Sequence, residues 1–446
     1  MVRQRPFHAR EIAAATALLL TVAACAPAAT APTAAPATEA PASVVPASVA
    51  PVTAPPATEA PATAPVASAA PASAAPAAGS AIPWPGAPLT TTPMSAADSA
   101  AIDALAADVL SKGPGLPGLW IGVWDPAKGY YIQGYGEAVR GGAKATPADH
   151  GRIGSVTKTF TVTAVLEQVA AGKLALDATI AQVLPELAAK YPAIGPVTVA
   201  QLAGMRSGIA DYANTGIVIK DVAADPAKVW TADSLIDAAL TLPLSAPGTG
   251  GYSTTNTLIL GKMLEKVTGK SIDEIVTDVA TRAGLTSSAL QPADVTAMPA
   301  PASHGYVTEL GVASMNKMGV DVPAGTDVSD WTLSWGQAGG GMYSTMEDLG
   351  TWAGTGLGTA LLPADLAAQR LTFTATPEGR YGLGIMDFGG GWIGHTGQVI
   401  GWESIVLYNP ATGAAFVAIV NETASLLAAE AVAAQVFPDL ISLILG

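Results

Sequence analysis

The run Trp402-Glu-Ser-Ile-Val-Leu-Tyr408, the segment Asn409-Pro-Ala-Thr-Gly413 and the run Ala415-Phe-Val-Ala-Ile-Val420 read as a β-hairpin. Two stretches rich in β-branched and aromatic residues flank a Pro/Gly turn. A second pair, Leu119–Trp124 and Tyr130–Tyr135, lies near the other end of the chain, around the turn signal Asp125-Pro-Ala-Lys-Gly129. Between the two pairs the patterning is helical. Ser95 opens a helix to Lys112, with Ile102, Leu105, Val109 and Leu110 at helical spacing. A further helix runs from Ser155 to about Gly172, its apolar face carried by Thr159, Val162, Ala164, Val165, Leu166 and Val169, and residues 190–350 are helical and loop-rich. A last apolar helix is expected from Ala424 to Leu445. It contains Glu430, Pro438 and Asp439, so it is expected to dock on the core rather than cross a membrane. Strands at both ends with helices between them predict an α+β fold: one antiparallel sheet assembled from both termini, flanked by helices, with a helical insert.

The 446 residues carry a net charge of −14, which argues against a nucleic-acid partner, because phosphate backbones select basic patches. Residues 26–88 are almost wholly Ala, Pro, Thr, Ser and Val. This composition buries too little apolar surface to fold and predicts a semi-extended tether. Residues 89–446 are long enough for a large core.

The single cysteine, Cys25, permits no intramolecular disulfide. Residues 1–25 open with Arg3, Arg5 and Arg10, continue through an apolar run from Ile12 to Ala24, and end in Val22-Ala-Ala-Cys25. A basic start, an apolar stretch too short to span a bilayer and small residues at its end describe a secretory signal. Small residues directly before a cysteine resemble the bacterial lipoprotein processing box, which implies lipidation of Cys25. The expectation is an exported lipoprotein held on a membrane by that anchor, facing the periplasm or the cell exterior.

Chemistry enters at Gly151-Arg-Ile-Gly-Ser155-Val-Thr-Lys158-Thr-Phe160. On a helix, residues three apart share a face, which brings the Ser155 hydroxyl and the Lys158 amine within reach of each other. A serine hydroxyl is a poor nucleophile until a neighbour takes its proton. A desolvated lysine has a lowered pKa and can serve as that neighbour. The spacing alone is weak, since Ser314-Met-Asn-Lys317 also fits; that pair lacks the preceding Gly and is read as chance. Two further segments supply context. Gly250-Gly-Tyr252-Ser-Thr254-Thr-Asn256 opens a helical run through Leu258, Leu260, Met263 and Val267. A tyrosine at such a start can shuttle protons beside Ser155, or can simply pack in the core. Gly394-His395-Thr-Gly397-Gln398 falls on an expected edge strand after Trp392, where an imidazole beside small residues suits substrate binding or plain structure. His150 and His304 have no carboxylate or cysteine at ligand spacing, so no metal is expected.

These three motifs, in this order, resemble the penicillin-binding protein and class C β-lactamase-like serine hydrolases. The resemblance covers nearly all of 90–440. It is carried also by Pro114–Gly136, Val197–Gly208, Ala338-Gly-Gly-Gly-Met-Tyr-Ser-Thr345 with Glu347-Asp-Leu, and Tyr381-Gly-Leu-Gly384. It implies a β-lactamase/DD-peptidase-like fold and an acyl-enzyme on Ser155, with Lys158 and Tyr252 sharing proton transfer and no metal or organic cofactor. His395 stands where the family has the lysine of Lys-Thr-Gly; the resemblance implies that it holds a substrate carboxylate or orients Tyr252, with Thr396 and Gly397 beside the substrate. The backbone N–H groups of Ser155 and Gln398 would form the oxyanion hole. One departure stands out: the family's Tyr-Ser-Asn reads Tyr252-Ser253-Thr254 here, so that Thr254 bridges Lys158 and substrate or Asn256 reaches in from the next turn.

The favoured activity is a D-alanyl-D-alanine carboxypeptidase acting on peptidoglycan peptides. An esterase or D-amino-acid amidase on the same scaffold, and a non-catalytic penicillin-binding protein, are the alternatives.

Overall fold

The structure is a computed structural model and describes residues 89–112, 115–249 and 251–423. The signal and Cys25, the tether at 26–88 and the expected helix at 424–445 lie outside the described residues.

The two hairpins form as expected, each strand reaching one residue further than its pattern in most places. β1 (Gly118–Asp125) pairs with β2 (Gly129–Gly136), with Leu119 opposite Tyr135 and Val123 opposite Tyr131. Six further strands of the same sheet lie late in the chain: β3 (Thr374–Thr376), β4 (Gly379–Tyr381), β5 (Met386–Gly389), β6 (Trp392–Val399), β7 (Trp402–Asn409) and β8 (Ala414–Val420). β8 lies antiparallel to β1, with Leu119 opposite Val420 and Trp124 opposite Ala415, so the sheet closes between the two ends of the domain. The order is β2-β1-β8-β7-β6-β5-β4-β3, antiparallel throughout.

Both faces of the central strands are covered, which is why β1, β7 and β8 are buried along their whole length and read as continuous apolar runs. Period-two alternation divides them. Leu119, Ile121 and Val123 join Ile405, Leu407, Phe416 and Ala418 against Ile102 and Ala106 of α1 (Ala96–Lys112). Trp120, Trp124, Val406, Val417 and Ile419 face the opposite, larger core. Ser95 caps α1 as expected, its hydroxyl accepting from the Asp98 amide at 3.1 Å.

The larger core surrounds α2 (Thr157–Ala170), whose residues Thr157–Leu166 are all buried. α3 (Thr254–Thr268), α4 (Ile272–Arg282) and α5 (Met346–Gly354) pack around it. A helix buried on every side must hide its polar groups, and here they are hydroxyls that bond to carbonyls. Thr159 donates to Val156 O, Thr161 to Ala338 O and Thr163 to Thr159 O, each at 2.7 Å. Phe160 stacks on Trp352 with ring centroids 3.8 Å apart. Among the described residues no helix is long and apolar enough to cross a membrane.

Candidate active site

The nucleophile motif is held by short-range geometry. Gly151–Arg152 forms a two-residue strand against Met342–Ser344. The Arg152 guanidinium, 2% exposed, donates to the Thr296, Ser329 and Trp331 carbonyls and lies over the Trp402 ring. The chain then tightens into a 3₁₀ turn at Gly154–Val156 before α2 begins. Gly154 sits at φ +50°, and a Cβ there would run into the backbone of Gln398 on β6. Gly397 is the reciprocal case, since a Cβ would strike the Ile153 carbonyl. Two glycines thus let the nucleophile turn lie directly on β6, and the Ser404 hydroxyl fixes it there by donating to Ile153 O at 2.8 Å. The two segments that carry the expected oxyanion amides, at Ser155 and Gln398, are therefore in contact.

Ser155 stands half-buried at the head of α2, and the Lys158 amine lies 2.9 Å from its Oγ. Lys158 is fully buried and donates to the Gly339 carbonyl at 2.7 Å. Burial disfavours the ammonium and lowers its pKa to about 7, with the Asp211 carboxylate pulling weakly the other way. The Lys158 amine also lies 4.9 Å from the centroid of the Tyr252 ring. The Tyr252 hydroxyl is buried with no hydrogen-bond partner among the described residues. Burial, and then Tyr381 nearby, push this phenol well above its usual range, with Ser155 opposing. Tyr252 is thus a phenol, and Lys158 is the group in this set able to be neutral and basic near pH 7.

Thr254 lies at the head of α3 and lines the cavity, with its methyl turned to Gly339. No hydrogen bond joins it to Lys158 among the described residues; the Gly339 carbonyl takes that place. Asn256 does not reach the site. It is fully buried and accepts from the Ser207 hydroxyl at 2.6 Å, so it secures the 207–211 loop instead.

His395 also differs from its expected position. It is 1% exposed and held between two neighbours, with Nδ1 at 2.5 Å from Thr396 O and Nε2 at 2.8 Å from Tyr381 Oη. A carbonyl only accepts, so Nδ1 carries the proton and the Tyr381 hydroxyl donates to Nε2. Burial, followed by the Lys158 charge, lowers the imidazole to about 3. A neutral, enclosed imidazole presents no charge to a substrate carboxylate. Its hydrogen bond goes to Tyr381 and not to Tyr252, although the His395 and Tyr252 rings are 6.1 Å apart. The strand itself is an edge only in part: β6 pairs with β5 through Gly394 and is free on that side from His395 onward. Thr396 and Gln398 line the cavity, while Gly397 is covered by Ile153.

These groups surround a cavity of about 290 Å³. Ser155, Tyr252 and Thr254 meet Ile219, Trp335, Met386, Phe388 and Val399 there, together with two acidic residues, Asp211 and Glu378. Sequence reasoning missed Asp211, Trp335, Glu378 and Tyr381 as site residues. Tyr381 alone left a local signal, as the first residue of Tyr381-Gly-Leu-Gly384, a segment read only as a family landmark. The second Ser/Lys pair behaves differently. Ser314 is buried and Lys317 exposed at the end of a helix, Glu309–Lys317. His150 Nδ1 lies at 2.9 Å from Pro301 O, and His304 pairs with Asp327 at 2.7 Å.

Comparison with known proteins agrees with this geometry. A curated relative, penicillin-binding protein 4 of Amycolatopsis lactamdurans, is 34% identical over 163 residues, 35% of this chain. The match spans only 40% of that relative's length. The D-stereospecific amidohydrolase from Streptomyces sp. superposes with a TM-score of 0.62 at 25% identity, covering 73% of this chain and 95% of that one. The D-amino acid amidase from Ochrobactrum anthropi SV3 with D-phenylalanine reaches 0.67 at 22% identity, covering 78% and 99%. The penicillin-binding protein from Bacillus halodurans gives 0.62 at 21%, covering 77% and 99%. These last two show the shared fold. The Beta-lactamase family profile matches residues 102–437, three quarters of the chain, and this chain belongs to the Beta-lactamase family of serine-hydrolase-fold proteins.

Proposed function

We propose that the protein is a serine amide hydrolase that works through an acyl-enzyme on Ser155 and prefers substrates without a free carboxylate. The observation that carries this reading is the Lys158 amine, fully buried, lowered to about pH 7 and 2.9 Å from Ser155 Oγ. Above that pH the neutral amine accepts the serine proton as Oγ bonds to the substrate carbonyl carbon. The Ser155 and Gln398 amides stabilise the resulting oxyanion. As the C–N bond breaks, the leaving nitrogen takes a proton relayed from Lys158 through the Tyr252 phenol. Water then adds to the acyl carbon, giving its proton to Lys158, and as the ester bond breaks Lys158 returns that proton to Ser155 Oγ, releasing the acid.

The substrate preference departs from the D-alanyl-D-alanine carboxypeptidase expected from the motifs. A peptide ending in a carboxylate needs a cation to receive it, and among the described residues the cavity lining contains no lysine, arginine or histidine. His395, in the family's lysine position, is neutral and enclosed. The similarity to the Streptomyces amidohydrolase supports the amide reading. Turnover of a D-alanyl-D-alanine peptide, a set of amino-acid amides and p-nitrophenyl acetate tests it. Amide turnover exceeding carboxypeptidase turnover is expected; release of D-alanine as the dominant activity overturns it.

We propose further that the enzyme works outside the cytoplasm on a lipid anchor at Cys25. Residues 1–25 alone support this, and loss of fatty-acid labelling in Cys25→Ser is its test.

A further inference from the structure

Three polar atoms around the cavity are buried and lack a hydrogen-bond partner among the described residues: Tyr252 Oη, Gln398 Nε2 and Glu378 Oε2. A polar atom hidden from water without a partner costs about 1–3 kcal/mol, more if charged. Three of them around one cavity define what a ligand has to bring. Gln398 Nε2 is a donor and calls for an acceptor. Glu378 is an acceptor and calls for a donor, preferably a cation. Tyr252 belongs to the chemistry already described.

Glu378 sits in the turn between β3 and β4, with Oε1 beside Gly251, next to the catalytic tyrosine. Among the described residues no ion pair neutralises it. Arg380, two residues on, is paired with Asp387 at 2.6 Å. The second acid, Asp211, is already engaged. It accepts from the Ala213 amide at 2.9 Å and from Asn214 Nδ2 at 2.7 Å, and it faces Lys158. Glu378 is therefore the acidic group of the lining that stands open to a ligand. The remaining walls are apolar: Ile219, Trp335, Met386 and Phe388.

We infer that Glu378 is a specificity-determining residue that receives a protonated amine on the substrate, with Gln398 Nε2 donating to an acceptor oxygen of the same molecule. The substrate class is then a small amide or ester bearing a free ammonium near the scissile carbonyl and an apolar side chain that fills the Trp335–Phe388 wall. This rests on the acyl-enzyme reading for turnover, but not for binding.

Two measurements separate the two ideas. In the first, phenylalanine amide and N-acetylphenylalanine amide, each as D and L forms, are compared as substrates of wild type and Glu378→Gln. Wild type is expected to favour the free amine, and the substitution to reduce that preference at least about tenfold by raising KM, because a neutral amide replaces the carboxylate that paired with the ammonium. In the second, binding of phenylalanine amide is measured by calorimetry on Ser155→Ala and on Ser155→Ala/Glu378→Gln, where no turnover occurs. The double variant is expected to bind at least about tenfold more weakly. Equal binding by the two proteins, or a wild-type preference for the acetylated amide, overturns the assignment of Glu378. Failure of every substrate to turn over, with binding still dependent on Glu378, leaves this inference standing and removes the catalytic one.

Discussion

The Tyr381 hydroxyl donates to Nε2 of His395 at 2.8 Å, and this bond explains why the histidine of the third motif is a structural neighbour of the site rather than part of its surface. Tyr381 comes from β4 and His395 from β6, on either side of β5. The contact therefore ties the short outer strands to the catalytic strand. Tyr381→Phe leaves an imidazole nitrogen buried without a donor. A loss of about 1–3 kcal/mol in unfolding free energy is expected from urea titration. The pH dependence has a definite sign. The imidazole is lowered from 6.5 to about 3 on folding, so between those values the unfolded chain binds a proton that the folded one does not. Its contribution to stability is complete above pH 6.5 and is lost as pH falls toward 3. His395→Asn should flatten the stability curve in that window.

Lys158 gives a second pH signature. Its amine is lowered from 10.5 to about 7, and only the neutral form accepts the Ser155 proton. The rate constant kcat/KM should rise through pH 7 and level off above it. Lys158→Met should reduce kcat/KM about a thousandfold or more. The same substitution also affects stability. Between pH 7 and 10.5 the unfolded chain holds the proton that the folded chain lacks, so this lysine weakens the fold progressively as pH falls from 10.5, and by a constant amount below 7. The melting temperature of Lys158→Met relative to wild type is expected to be higher at about pH 6 than at about pH 10.

Tyr252 separates catalysis from folding. Its hydroxyl has no partner among the described residues, so Tyr252→Phe removes no native hydrogen bond. Unfolding free energy should rise by about 1–3 kcal/mol, because a buried hydroxyl without a partner is removed. The turnover number should fall about a hundredfold or more, because the proton path to the leaving group is cut.

Much of this arrangement is legible in the sequence because it depends on local pattern. The hairpins at 118–136 and 402–420 are bounded by Pro/Gly turns, and the Ser155–Lys158 spacing needs only one helical turn. The strands at 374–389 are not legible. They are three or four residues long and polar, and Thr374, Ala375 and Arg380 are exposed, so no apolar period marks them. The environment of His395 is equally hidden. Its neighbours Tyr381 and Tyr252 approach it from different elements, and motif position conveys nothing about burial. Asp211 and Glu378 reach the cavity from loops far apart in the chain. Arg370 behind α2 is a similar case: fully buried, it donates to Thr163 Oγ1 at 2.6 Å and to Thr159 O at 3.1 Å. Nothing in a lone arginine after an alanine-rich helix announces that.

Gly397 tests the contact between strand and nucleophile turn. A methyl group there collides with the Ile153 carbonyl and with Ser404 Oγ, in a part of the core that has no room to yield. Gly397→Ala should cost about 1–3 kcal/mol in stability. It should also lower kcat more than it alters KM, because it moves Ser155 away from the Gln398 amide. Paired thermal melts and initial-rate measurements check both halves.

The central claim is that Ser155 carries the acyl group. Incubation with a slowly released active ester that carries no carboxylate, followed by proteolysis and mass analysis of the labelled peptide, measures this directly. The account predicts one adduct, on the peptide containing Ser155, absent from Ser155→Ala and strongly slowed in Lys158→Met. An adduct that persists in Ser155→Ala, or that maps to Ser314, contradicts it.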